Sequence, residues 1–159
     1  MNFKETLERL HNSEQFKKFK DENNDAYLHS AMFILDYETK IDTQQLDFFI
    51  PKKNKIAKFM INADVNFMID ENIMGTGDEI RLDIQIEIPD IEKTAKAEAG
   101  EQKIKKIIAT LQNIQQKQTW KIVCMIGNYD MLNLQIDSQT GAITKKESSS
   151  LMNFMKKVK

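Results

Sequence analysis

Few residues of this sequence have the types and spacing that catalysis or metal binding requires. The two histidines, His11 and His29, stand apart from each other, and no cysteine or further histidine lies at the spacing of zinc ligands. The single cysteine, Cys124, belongs to an alternating apolar run, where a thiol behaves as a small hydrophobic side chain rather than a nucleophile. We therefore predict no catalytic residue, no metal site and no cofactor.

Two further clusters resemble ligand sites only in outline. The acidic residues Asp36, Glu38 and Asp42 lie near a predicted turn, but they lack the central glycine and terminal glutamate of a calcium loop. The run Gly75-Thr76-Gly77 lacks the downstream Gly-Lys-Ser/Thr of a phosphate-binding loop, and a strand is predicted after it. Turn formation is the simpler interpretation of both clusters.

Composition limits the classes of partner. The chain has 159 residues, of which 41% are hydrophobic, so we expect a single domain over residues 1–159. The 23 basic residues nearly balance the 24 acidic ones, which argues against a nucleic-acid partner. The sequence shows no leader-like apolar run and no segment of membrane-spanning length, so we predict a cytoplasmic location and no membrane insertion.

The first half of the sequence predicts a helical segment followed by strands. An apolar residue recurs at helical spacing up to residue 20, with Asn12-Ser13 as a break between two pieces; these residues are Phe3, Leu7, Leu10, Phe16 and Phe19. Strands are predicted over residues 26–37, 45–50, 56–62 and 65–69, with a turn at Gly75-Thr76-Gly77.

The second half predicts one strand, a long helix, a hairpin and a terminal helix. Isoleucine and leucine alternate with polar residues from Ile80 to Ile88, which indicates a strand with one buried face. Pro89-Asp90 then predicts a helix that runs to about Gln116, with a kink or a later start at Gly100. Residues 119–144 predict a hairpin whose first strand lies inside a sheet, with a turn at Gly127-Asn128. Residues 148–159 predict an amphipathic helix capped by serines.

This order of elements predicts an α+β fold, with helices packed on one face of a curved antiparallel β-sheet. The pattern over the last third also resembles the PepSY domain, a small α+β module related to peptidase propeptides. The residues concerned are a helix over Lys103 to Ile114, the strand Trp120 to Ile126, the run Leu132 to Asp137, and Thr140-Gly141-Ala142-Ile143. The resemblance implies a role in restraining peptidases, although PepSY modules typically belong to secreted or membrane-anchored proteins.

The first third follows a similar order. A helix over Glu5 to Lys20 precedes a strand from Tyr27, the run Leu46 to Ile50 and then Lys53-Asn54-Lys55-Ile56. An internal duplication would make residues 1–70 and 78–147 two pseudo-repeated halves of one helix-plus-hairpin design.

Two functions are consistent with these observations. The first is a non-catalytic binding or regulatory module, in which a sheet face or edge takes up a protein segment or another copy of the chain. The second is a carrier or small enzyme that encloses a small apolar ligand between the sheet and the long helix. The candidate pocket or interface residues are Phe33, Phe48, Phe59, Phe67, Trp120 and Met125, with Leu151 and Phe154 of the terminal helix.

Overall fold

The computed structural model describes residues 2–70, 78–128 and 130–150. These residues form three helices and one eight-stranded antiparallel sheet, so the fold is α+β as predicted. In chain order the elements are α1 (Phe3–His11), α2 (Glu14–Glu22), β1 (Tyr27–Asp36), β2 (Asp42–Ile50), β3 (Lys55–Ile61), β4 (Val65–Asp70), α3 (Ile88–Ala99), β5 (Ile104–Ile114), β6 (Lys117–Ile126), β7 (Asp130–Asp137) and β8 (Ile143–Ser150).

The sheet is built from two four-stranded meanders that meet at its centre. The strand order is β4-β3-β2-β1-β5-β6-β7-β8, and the sheet does not close because β4 and β8 lie at opposite edges. The first strands of the two meanders pair antiparallel, with Ile34 opposite Ile108. Strand β6 lies between β5 and β7, which confirms the interior position that its apolar alternation predicted.

The helices cover one face of the sheet, called here the covered face. The predicted break in the N-terminal helix is confirmed, since Ser13 caps α2 by accepting a hydrogen bond from the Phe16 backbone N–H at 3.2 Å. From α2, Phe16 packs on Phe48 with ring centroids 5.0 Å apart, and Phe19 packs on Phe59 at 5.1 Å. An aromatic core thus joins α2 to β2 and β3.

The predicted long helix is wrong beyond its first half. Helix α3 ends at Ala99, and Gly100 follows with φ 65°, a conformation that glycine adopts without strain. Residues Ile104–Ile114 then form β5 between β1 and β6. The isoleucines of this stretch fit a helical stripe as well as a strand, but pairing on both sides and their β-branched side chains favour the strand. The helical part of the PepSY-like pattern therefore does not form.

The predicted strand over Ile80 to Ile88 is also wrong. Residues 78–87, called here the crossing segment, have no regular secondary structure, bend at Leu82 and belong to no strand of the described sheet. Within it Ile80 and Ile84 are buried, whereas Leu82 is 53% exposed and Ile86 is half-buried. The backbone N–H of Ile80 donates to the carbonyl of Leu28 at 2.8 Å, a bond to the end of the sheet rather than along a neighbouring strand. An alternating apolar pattern therefore does not by itself show that a strand forms, because a strand also needs a partner to pair with.

Turns and termini complete the comparison. Gly127-Asn128 forms the β6–β7 turn as predicted, and Gly141, between β7 and β8, has a positive φ of 78°. The prediction that serines cap a terminal helix is wrong, because Ser148–Ser150 belong to β8. Residues 151–159 and Gly75-Thr76-Gly77 lie outside the described residues.

Candidate functional site

The face of the sheet opposite the helices, called here the open face, carries an apolar stripe. Register places Ile34, Ile108 and Val123 directly side by side across β1, β5 and β6, and Met125 opposite Met131 across β6 and β7. The complete stripe is Met32, Ile34, Ile108, Val123, Met125 and Met131. All six are only partly buried, and Met125 is 37% exposed, whereas their neighbours on the covered face are buried.

One end of the stripe is concave. Beside the β6–β7 turn lies a cavity of about 490 Å³, lined by Met125 and Met131 and by Lys105 and Gly127 among others. Methionine side chains are flexible and polarisable, so they adapt to partners of different shape. The stripe thus offers both a flat centre and a recess at one end.

Charged groups surround the stripe, and most of them are paired. On the open face Lys106 lies 3.6 Å from Asp36, and Lys145 lies 3.4 Å from Glu147. Lys121 is exposed and has no ion-pair partner among residues 2–70, 78–128 and 130–150. A docking partner would therefore meet an apolar centre, neutralised pairs and the ammonium group of Lys121.

A polar cluster containing Asp47 lies on the same face near the start of β1. The Ser30 hydroxyl donates to the Asp47 carboxylate at 3.2 Å, and the Gln45 amide donates to it at 2.8 Å. Burial raises the pKa of Asp47, against the opposing effect of these hydrogen bonds and of Lys58. The Nδ1 atom of His29 is buried and no described residue bonds to it. Because Ser30 donates to the carboxylate rather than to an imidazole, the cluster does not activate a nucleophile.

A second concave surface lies on the covered face, between α1, α2 and the crossing segment. This helix-side groove has a volume of about 510 Å³. Its apolar wall includes Leu7, Leu28 and Phe48, and Leu82 stands at its exposed rim. Its polar members include His11, whose pKa is lowered by burial and then by Lys20. Its dimensions are those of a small-molecule site.

The structure brings five of the residues that the sequence grouped as a pocket or interface into ring contacts and places Met125 apart from them. Phe48, Phe59 and Phe67 form one cluster, and Phe33 packs against Trp120. Phe33, Phe59 and Trp120 are buried in the core at 1% exposure or less. Phe48 lines the helix-side groove, and Phe67 lies at 48% exposure on the edge strand β4. Met125 lies on the open face. Leu151 and Phe154 lie outside the described residues.

The open face could have been recognised from a signal in the sequence. Both faces of Trp120 to Ile126 are largely apolar, a pattern that predicts an interior strand and is also consistent with an uncovered apolar face. The outward residues Val123 and Met125, together with Met32 and Ile34 of β1, are the part of that signal that marks the open face. Ile108 was missed because β5 was predicted as a helix.

The remaining chemical candidates behave as structural groups. The pKa of Asp36 is lowered, first because the backbone N–H of Thr39 donates to its carboxylate, so it shapes the β1–β2 turn. No cluster of three potential metal-ligating side chains occurs among the described residues. Cys124 is fully buried, and burial raises the pKa of its thiol to about 11. No helix in the described part of the chain has the length and apolarity needed to cross a membrane.

Comparison with known proteins gives a likeness of fold. No protein-family model and no curated protein matches the chain. A crystal structure from Clostridium difficile 630, described as that of a "putative lipoprotein", matches with a TM-score of 0.60 and 16% sequence identity. The match covers 85% of this chain and 90% of the other. At this identity the likeness shows that the chain shares the α+β fold of that protein.

Proposed function

We propose that this chain is a non-catalytic binding module whose open face takes up a protein partner. The observation that carries the proposal is the apolar stripe, which crosses the centre of the sheet on the face opposite the helices. Contiguous apolar surface on a folded protein often marks a site at which another molecule binds. An apolar centre with a polar rim is also the usual anatomy of a protein interface.

The chemistry of the face specifies the partner further. Aliphatic and aromatic side chains of the partner would pack on Ile34, Ile108 and Val123, where water is displaced from both surfaces. The ion pairs at the rim are already neutralised within the chain, so covering them leaves no unpaired charge among them. Lys121 is the exception, and it favours a partner that places a carboxylate opposite it.

Replacing Val123 and Met125 by lysine is expected to weaken capture of this partner at least about tenfold, because two charges would enter the centre of an apolar contact. Ile41→Lys is the matched control, since Ile41 is an apolar residue that is 67% exposed at the β1–β2 turn. The measurement is affinity capture from the source organism with wild type, the double variant and the control, each verified as folded by circular dichroism. Equal capture by all three proteins would contradict the proposal.

The helix-side groove favours a second candidate function, a carrier of a small apolar ligand. The observation is the cavity of about 510 Å³ with its largely apolar wall. Native mass spectrometry of protein purified without denaturation should then show extra mass on the folded ion, and Leu82→Asp at the rim should reduce it. Bare protein in both samples would remove this candidate.

We also infer that residues 1–70 and 78–147 are pseudo-repeated halves. What supports this is the order of helix and four-stranded meander in each half, and the antiparallel pairing of β1 with β5 at the centre. The correspondence differs from the one predicted, because β5 rather than β6 takes the place of β1. The remaining PepSY-like pattern, the inhibitory role toward peptidases and the cytoplasmic location stay predictions.

A further inference from the structure

Strand β8 forms one edge of the described sheet. It pairs with β7 along one side, and no described strand lies on the other. Residues 143–149 are all exposed. An edge of this kind presents a row of backbone N–H and C=O groups that another strand can bind.

The charges on β8 carry opposite signs at alternate positions on one face. Lys145 and Glu147 lie opposite Gln135 and Asn133 in the register of β7 and β8, and therefore on the open face. Lys146, between them, faces the helices and donates to Glu98 of α3 at 2.6 Å. Lysine on an edge strand usually blocks pairing, but an edge with both signs can complement a second copy of itself.

We propose that two copies of this chain associate through β8, antiparallel, about a twofold axis that passes through Lys146. Directly opposed residues of antiparallel strands point to the same face, so a twofold axis perpendicular to the sheet must pass through a residue rather than between two. With the axis at Lys146, each Lys145 lies opposite the partner's Glu147. The pairing extends over nearly all of Ile143–Ser150 in both copies.

Neighbouring registers are less favourable. An axis at Glu147 would oppose the two Glu147 side chains, and an axis at Lys145 would oppose the two Lys145 side chains. Like charges directly opposed across strands destabilise a sheet. At the proposed axis the two Lys146 side chains do meet, but each is already neutralised by its own Glu98. Of these three registers, the pattern of charge favours the one with its axis at Lys146, where each Lys145 and each Glu147 gains a neighbour of opposite charge in the partner.

This interface is separate from the one in the proposed function. Edge pairing joins two sheets side by side, so the open face of each copy stays free for another protein. The open-face variant with lysine at positions 123 and 125 is expected to keep the edge dimer, so its oligomeric state tests the edge and its capture of a partner tests the open face. Failure of one proposal is therefore distinguishable from failure of the other.

The test exchanges the two charges. Lys145→Glu alone places four carboxylates around the axis, and Glu147→Lys alone places four ammonium groups there, so each single variant should associate at least about tenfold more weakly than wild type. Mixing the two single variants should restore a dimer, because each strand then opposes the other's charges. The double variant Lys145→Glu/Glu147→Lys should also dimerise. Sedimentation equilibrium over a range of concentrations measures all five samples: wild type, the two single variants, their mixture and the double variant.

The outcomes decide the proposal. Both side chains are more than half exposed, so the single variants should keep the wild-type fold and melting temperature, which circular dichroism verifies. Wild-type protein that stays monomeric at the highest concentration reached would overturn the proposal. The proposal would also be overturned if both single variants still dimerised as wild type does. The same holds if the two single variants remained monomeric when mixed.

Discussion

Trp120→Ala is expected to lower the free energy of unfolding by about 3 to 5 kcal/mol, as for other large aromatic truncations in well-packed cores. Trp120 is fully buried, and its ring packs edge-on against Phe33 with centroids 5.9 Å apart. Its indole N–H donates to the Ile86 carbonyl at 2.8 Å. One side chain thus fills the core of the second meander and holds the crossing segment against it. Urea denaturation monitored by circular dichroism measures the loss.

Trp120→Phe separates the two contributions. Phenylalanine keeps much of the packing against Phe33 but cannot donate to the Ile86 carbonyl, so we expect a smaller loss than for alanine. Met125→Ala on the open face is the control, because its side chain is 37% exposed and fills no core space. A cost for Trp120→Ala no larger than that of the control would contradict the packing described here.

The stability of the fold is expected to fall between pH 9 and 11, in part because of Cys124. Burial raises the pKa of its thiol from 9.0 to about 11, so between these values the unfolded chain has lost a proton that the folded chain retains. A state that binds more protons is weakened as pH rises, so the folded state loses stability across this window. A shift of this size corresponds to about 2 to 3 kcal/mol in total.

Cys124→Ala isolates the contribution of this thiol. The variant should be less stable than wild type at neutral pH, since it leaves a small cavity, but its stability should decline less steeply from pH 9 to 11. Tyr37 adds an alkaline loss in both proteins, because burial and its hydrogen bond to Glu92 raise its pKa. The charge of the ionised Cys124 raises this pKa further, so the alanine variant also lowers the contribution of Tyr37. Urea denaturation at a series of pH values measures both slopes. Identical slopes would show that the folded thiol titrates as freely as the unfolded one.

The local signals in the sequence predicted most of the elements, and the failures share a physical cause. Capping by Ser13 and the turn at Gly127-Asn128 depend on nearby residues, so the sequence alone was sufficient for them. Strand β5 depends on distant partners instead, because pairing with β1 and β6 decides between a helix and a strand for Ile104–Ile114. The strand predicted for the crossing segment does not form, for the opposite reason. Its local pattern alternates, but no described strand lies beside it to pair with.

The candidate site was harder to predict because it depends on register. The sequence predicts that Phe33 and Phe59 line a pocket or interface, whereas both side chains are buried in the core. They are buried because large aromatic side chains on the covered face pack under the helices. Val123 belongs to an apolar surface because β5 places Ile108 beside it, and that pairing follows from the fold rather than from the local sequence. Hydrophobicity identified which residues would be buried or in contact, but not which face of the sheet the helices would leave uncovered.

The most direct test of the open face as a protein-binding surface is site-specific photo-crosslinking in the source organism. A photoreactive phenylalanine analogue at Val123 samples the centre of the apolar stripe, and the same analogue at Ile41 samples an exposed apolar position away from it. The proposed function predicts an adduct of defined mass with another protein from position 123 and none from position 41. Irradiation that gives no adduct at position 123, or the same adducts from both positions, would contradict it.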